Sequence, residues 1–230
     1  MSTFLQLCTY LRQETTDSGT GPLAVTSQTG ELARIVNWID RAYTELQQEK
    51  DWRWLRKSFT VSATSGDGAY AYGDCTDTAT SAVISRFSSW YPRTFKCYLT
   101  SAGVGAEYGL HWLPWDDFRR IYRYGTQTNG PPCHVSEDPT QAFVLGPIPD
   151  ATYTVSGDYQ KGPQLLTADG DIPEMPTRFH QLIVYEAMLK YGGHRAAPEA
   201  MVRAATEGAR LRSALGRDQL PQITTGGPLA

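Results

Sequence analysis

The spacing of apolar residues changes twice along this chain. From residue 3 to 13, Phe4, Leu7, Cys8 and Leu11 recur on one helical face. Ser2 or Thr3 stands where a cap is wanted. The turn formers from Thr15 to Pro22 end this helix. A stronger helix is predicted over 29–50, with Leu32, Ile35, Val36, Ile39, Tyr43 and Leu46 in one stripe. Arg34, Asp40, Arg41, Glu45 and Gln48 fall mostly off that stripe, Thr29 is the predicted cap, and Glu31 meets the positive helix end. Aromatics then crowd Asp51-Trp52-Arg53-Trp54-Leu55, where the pattern breaks.

From residue 56 the period drops to two. Phe59, Val61 and Ala63 alternate with Ser58, Thr60 and Ser62, as in a half-buried strand. Ser65-Gly66-Asp67-Gly68 signals a turn, and Tyr70-Ala71-Tyr72 is expected to return as a second strand. Further strands are predicted at 82–87, 95–100, 108–113, 141–146 and 152–160. The last places Tyr153, Val155 and Tyr159 on one face with Gly157 among them. The run from Leu145 to Asp150 reads as the turn before it. A short helix interrupts the strands from Pro114 to Tyr122, with proline and acids at its start and arginines in its last turn.

After Pro173-Glu174-Met175-Pro176 the helical period returns. Thr177 is the predicted cap of a helix over 177–192 that carries Phe179, Leu182, Ile183, Ala187 and Tyr191 at helical spacing. Gly192-Gly193 reads as its left-handed stop. Pro198 opens a final helix over 198–217, where Ala200, Ala204, Ala205, Gly208 and Ala209 allow close helix approach. Beyond Arg217-Asp218, two prolines and two glycines forbid further helix. The fold class expected is therefore α+β. Helices at 1–55 and 166–217 form one bundle, because a two-helix hairpin alone buries too little to stand. A mainly antiparallel β-domain at 56–165 is inserted between them, and residues 218–230 form an extended carboxyl arm. Leu220, Pro221, Ile223 and Leu229 mark that arm as a partner-binding segment, since its apolar residues cannot bury themselves; a frayed terminus is the plainer alternative.

Composition narrows the class. The chain has 230 residues, a formal charge of −3, 40% hydrophobic and 20% charged residues, which excludes a disordered chain. No apolar run approaches the ~20 residues of a membrane helix. The start MSTFLQLCTY lacks the basic and apolar regions of a secretory signal. Cys8, Cys75, Cys97 and Cys133 lie far apart with no CxxC pair, so reduced thiols are expected and a zinc finger is not.

Chemical motifs are scarce. The sequence contains no GxSxG, GxxxxGK[ST], HExxH or GxGxxG. Gly103-Val104-Gly105 has no helix start after it. His111, His134, His180 and His194 lack metal-ligand spacing, so neither metal nor cofactor is predicted, and His180 reads as a structural or interface residue. Asp116 and Asp117 would point about 100° apart on a helix and suit its positive end better than a shared proton. Glu14 and Asp17 read as solvated surface rather than a glycosidase pair. Tryptophans interleave with arginines from Trp52 to Arg119, as on a nucleic-acid or sugar face. Yet nine basic residues face thirteen acids between 56 and 175, which favours core packing and subunit contact. Residues 176–217 carry seven basic residues against three acids.

The layout itself resembles a known family. Two helices lead to Asp51-Trp52-Arg53-Trp54-Leu55, and the β-region closes on Leu145-Gly146-Pro147-Ile148-Pro149-Asp150, a strand to Tyr159 and Gly162-Pro163. Asp171-Ile172-Pro173-Glu174-Met175-Pro176, Phe179 and Ala197-Pro198-Glu199 follow. This pattern is similar to the head-to-tail adaptor proteins of tailed bacteriophages, the tubular tail adaptor of short-tailed phages in particular. The resemblance implies a non-enzymatic virion protein assembled in the host cytoplasm. It implies a ring, commonly a dodecamer, under the portal protein, with nozzle or tail-terminator proteins attached below. DNA would pass through without sequence-specific binding, and no membrane is involved. The acid excess of the β-region would contribute to the channel lining. A peptidoglycan hydrolase and a free-standing nucleic-acid or carbohydrate module are the alternatives from other classes.

Overall fold

The computed structural model describes residues 1–15 and 21–221. The chain divides into two compact units, Met1–Trp54 with Pro163–Ala230, and Leu55–Gly162. Together they make a mixed α+β fold with helices at both ends and strands between.

The first unit holds α1 (Phe4–Glu14), α2 (Gly30–Gln48), α4 (His180–Arg195) and α5 (Pro198–Gln219). Thr3 and Gln6 close a reciprocal cap on α1: Thr3 Oγ1 accepts from the Gln6 N–H at 3.3 Å, and Gln6 Oε1 accepts from the Thr3 N–H at 3.0 Å. Thr29 occupies the cap position of α2 but makes no side-chain capping bond. Ile35, Ile39, Tyr43 and Leu46 are buried as the stripe requires, while Leu32 and Val36 remain half-buried.

The unit is organised around α4, which packs against α1, α2 and α5. Val184 and Met188 are buried there beside Leu182, Ile183, Ala187 and Tyr191, so the buried face of α4 is wider than a single stripe. Two expectations about it need correction. Thr177 does not cap it, because Thr177–Phe179 forms a short 3-10 turn and α4 begins at His180. Gly192-Gly193 does not stop it either, since the helix runs through to Arg195 and the left-handed residue is Ala196, at φ 52°. The real demand on Gly192 is space: a Cβ there would stand 2.3 Å from Met201 Cγ of α5. The glycine lets α5 turn back closely over the end of α4.

Residues 163–176, written in short polar and proline-rich steps, strap across these helices. Gln164 accepts from the Tyr43 hydroxyl at 2.9 Å and exchanges backbone bonds with the Gln47 amide at 2.8 and 3.0 Å. The Phe4 N–H donates to the Asp171 carbonyl at 2.8 Å, joining the start of α1 to the strap. Donors from the Ala168 and Thr167 backbone hold the Asp171 carboxyl below its ordinary value. The Asp171–Pro176 motif thus has a structural task.

The second unit contains two sheets and the helix α3 (Trp115–Tyr122). Its strands are β1 (Arg56–Ala63), β2 (Ala69–Tyr70), β3 (Thr76–Asp77), β4 (Ser89–Trp90), β5 (Lys96–Leu99), β6 (Tyr108–Gly109), β7 (His111–Trp112), β8 (His134–Glu137), β9 (Phe143–Gly146) and β10 (Tyr153–Gln160). The first sheet runs β3-β1-β10-β5-β6, with β4 also on β10; the second runs β2-β9-β8-β7. All pairs are antiparallel except β7 with β8. Phe59, Trp90, Phe95, Phe143 and Tyr159 meet in the core, with Phe59 ring centroids 4.8 Å from Trp90 and 5.5 Å from Phe95. Gly157 in β10 makes room: a Cβ there would stand 3.0 Å from Phe59 Cε1.

The strand predictions held best where the alternation was longest, over 56–63 and 152–160. Tyr70 does not return along β1. Its hydroxyl accepts from the Thr64 N–H and donates to the Asp67 carbonyl, which curls the turn and sends β2 to β9 instead. Residues 82–87 form no strand beyond a bridge from Val83 to Thr76. Asp77 is the reason. Burial works to raise its carboxyl, but donors from Thr80, Tyr159 and Ala79 hold it below its ordinary value and wind 77–82 into a loop. The strand β8 carries no clear alternation and was not expected.

Candidate functional site

The residues expected to bind a partner begin where α5 ends. Leu220 leaves the helix in extended conformation, φ −97° and ψ 152°, and its N–H donates to the Gly216 carbonyl at 3.0 Å. Its side chain is half-buried, with Cδ1 close over Gly216, while Pro221 is exposed. Ile223 and Leu229 lie outside the described residues.

Around this exit the helical unit is built of charge and one aromatic ring. Asp218 pairs with Arg178, whose guanidinium lies 4.8 Å over the Phe179 ring, and Gln219 Nε2 donates to Asp218 at 2.6 Å. The Arg178 bond is the chief reason the Asp218 carboxyl sits below its ordinary value. Arg178, Phe179, Ala214, Arg217 and Asp218 line an open recess of about 390 Å³. The last turn of α5 is therefore tied to the turn that begins α4, and the chain departs from a fixed base. Helical periodicity could not reveal this tie, because its partners stand forty residues apart in sequence.

The rest of α5 is held in the same manner. Ala204, Gly208 and Leu215 are its buried apolar contacts. Arg203 pairs with Glu14 of α1 at 2.5 Å, and Arg212 bridges Glu49, the residue that caps the end of α2, and Glu186 of α4 at 2.8 and 2.7 Å. The seven basic residues counted over 176–217 are therefore largely internal fasteners.

The other chemical candidates resolve into structural roles. Glu14 is the partner of Arg203, and Asp17 lies outside the described residues. Asp116 and Asp117 occupy the first turn of α3, with Asp117 paired to Arg120 at 2.8 Å. His180 is buried; its Nδ1 accepts from the Ser2 N–H at 3.3 Å, and Nε2 lies 3.1 Å from the Met175 carbonyl. That network places its proton on Nε2. Burial holds its pKa below the ordinary histidine value. His194 packs on Trp38 and contacts Arg34. Trp52 and Trp90 are buried, and Arg56 stacks 4.3 Å over Tyr91 while pairing with Asp158, so these tryptophan and arginine residues serve packing. Among the described residues, no three His, Cys, Asp or Glu side chains are grouped to hold a metal ion.

Side chains that perform chemistry in other folds here hold helices together and fix where the chain leaves them. Residues 2–230 match the family model described as SU10 adaptor protein, and the chain belongs to that family. It is a bacteriophage head-to-tail adaptor. No curated protein matches the sequence. No helix of the described residues is long and apolar enough to cross a membrane.

Proposed function

We propose that this adaptor is the subunit of a dodecameric ring seated below the portal protein at the portal vertex of the virion. The ring extends the DNA channel and presents the platform to which nozzle or tail-terminator proteins attach. Subunits assemble in the host cytoplasm, and DNA passes without sequence-specific contact. The acidic lining expected from the count over 56–175 is not carried into this reading, because the excess comes from Asp169, Asp171 and Glu174 of the strap, and the β-rich unit itself is nearly balanced. The observation that carries the reading is the family match over residues 2–230. The extended exit at Leu220 supports the finer part. Leu220, Pro221, Ile223 and Leu229 form an arm that joins the portal, adding backbone bonds to a strand edge or laying apolar side chains in a groove.

The structure sharpens the test. Leu220 covers Gly216 at the end of α5, so the truncation should begin one residue later. Deleting Pro221–Ala230 is expected to leave a folded subunit that no longer attaches to portal-bearing heads. A truncated protein that binds the portal with unchanged affinity overturns the arm assignment and leaves a frayed end.

A further inference from the structure

Three polar side chains meet at the surface of the β-rich unit. Cys133 precedes β8, His134 opens it, and Tyr122 closes α3. The Cys133 sulfur lies 3.0 Å from His134 Nδ1. The Tyr122 hydroxyl lies 2.7 Å from the same nitrogen and 3.6 Å from the sulfur. Cys133 is exposed, whereas Cys8, Cys75 and Cys97 are buried, their thiols pushed up by burial to about 12, 12 and 11. The packing that sets the cluster is specific. Gly146 pairs with His134 across β8 and β9, and a Cβ on it would stand 2.6 to 2.8 Å from the Tyr122 ring. Only a residue without that atom lets the tyrosine reach the histidine and the cysteine.

Proton counting shows what the triangle favours. Burial and the neighbouring His111 hold His134 below its ordinary value, so near neutral pH its ring has one N–H and one lone pair. Burial pushes the Tyr122 phenol up to about 12, so it remains a donor. Nδ1 cannot accept from both neighbours at once. With its proton on Nδ1, His134 donates to the Tyr122 oxygen, Tyr122 donates to sulfur, and the thiol faces the Gly146 carbonyl at 3.6 Å. Remove the thiol proton, and the sulfur keeps the Tyr122 donor and stands 3.0 Å from the Nδ1–H. The thiolate is thus met by two donors while still open to solvent.

We propose that Cys133 is a thiol-exchange site for low-molecular-weight disulfides, with Tyr122 and His134 as its positioning residues. The Cys133 thiolate attacks one sulfur of the disulfide, whose S–S bond breaks. A mixed disulfide forms on Cys133, and the departing thiolate takes a proton from water. Cys133 is oxidised as the incoming disulfide is reduced.

The test uses the full chain and dithiodipyridine, with release of thiopyridone followed by absorbance and the modified residue mapped by mass spectrometry. One equivalent is expected to react rapidly, at Cys133, and none rapidly in Cys133→Ser. At about pH 7, Tyr122→Phe and His134→Gln should each react several-fold more slowly, and by about pH 10 the rates should converge or cross, because a sulfur held by two donors is also the weaker nucleophile. Convergence or crossing separates thiolate stabilisation from mere access, which would keep the rates apart in the same order at both values. Reaction at another cysteine, or equal rates for the wild type and both variants at neutral pH, overturns the proposal.

Discussion

The helices of the first unit are tied by ion pairs between residues more than a hundred positions apart, such as Glu45 with Lys190, Glu14 with Arg203 and Glu49 with Arg212. In the β-rich unit, aromatic rings pack tilted and edge-on around Phe59, and β1 pairs with β10 over eight residues. The difference follows from the residues available. α5 offers α4 alanine and glycine, which permit close approach but bury little apolar area, and charged ties supply the remaining specificity. The β-rich unit buries large aromatic surface and needs fewer such ties. One unit should therefore be sensitive to charge and salt, the other to lost volume.

The largest effect expected comes from placing a charge in the helical core. Ile39 and Ile183 are both fully buried, and Ile39→Asp or Ile183→Asp should prevent soluble expression. Normal yield and melting of both variants would remove α2 and α4 from a common core. In the β-rich unit, Phe59→Ala should cost about 3–5 kcal/mol by chemical denaturation, because the cavity is ringed by aromatics that cannot collapse into it. Next comes Gly157→Ala, where the added methyl presses on Phe59; a loss of roughly 1–3 kcal/mol is expected. A neutral result would show that the ring is free to shift.

Charge effects should be smaller. Arg212→Met removes a guanidinium from two carboxylates while keeping most of its stem, and about 1 kcal/mol should be lost, since the side chain is 38% exposed and water screens the pair. Raising salt to about 1 M should reduce the difference between Arg212→Met and the wild type, whereas Phe59→Ala should keep its full deficit. Acid acts through His180. Its folded-state pKa lies below the unfolded value of about 6.5, so the stability it contributes is present above that value and declines as pH falls toward the lower folded one. His180→Gln should flatten this part of the stability profile, measured by denaturant midpoints between about pH 7 and 5.

Elements with a long regular pattern could be read from the sequence. α1, α2, β1 and β10 follow their apolar spacing closely, and α3 was legible from its proline, first-turn acids and last-turn arginines. Errors arose where a tertiary demand replaced a local one. Gly192 signals a helix end locally, but its neighbour Met201 requires a residue without a Cβ. Residues 82–87 have strand character, but the donors gathered on Asp77 bend the chain before them. At the carboxyl end, the helix stop was legible to within two residues: 217 was expected, and α5 runs to Gln219. The Arg178 tie that fixes Asp218 was not, because an ion pair between distant elements leaves no periodic trace. Cys133 and His134 were visible as neighbours; only the fold brings Tyr122 onto them.

Electron microscopy of the purified chain mixed with its portal protein tests the central assignment most directly. The expected result is a second ring of this protein coaxial with the portal, twelve subunits around one channel, with density running from the end of α5 onto the portal surface. A protein that stays monomeric and leaves the portal bare at concentrations saturating for assembly would contradict it.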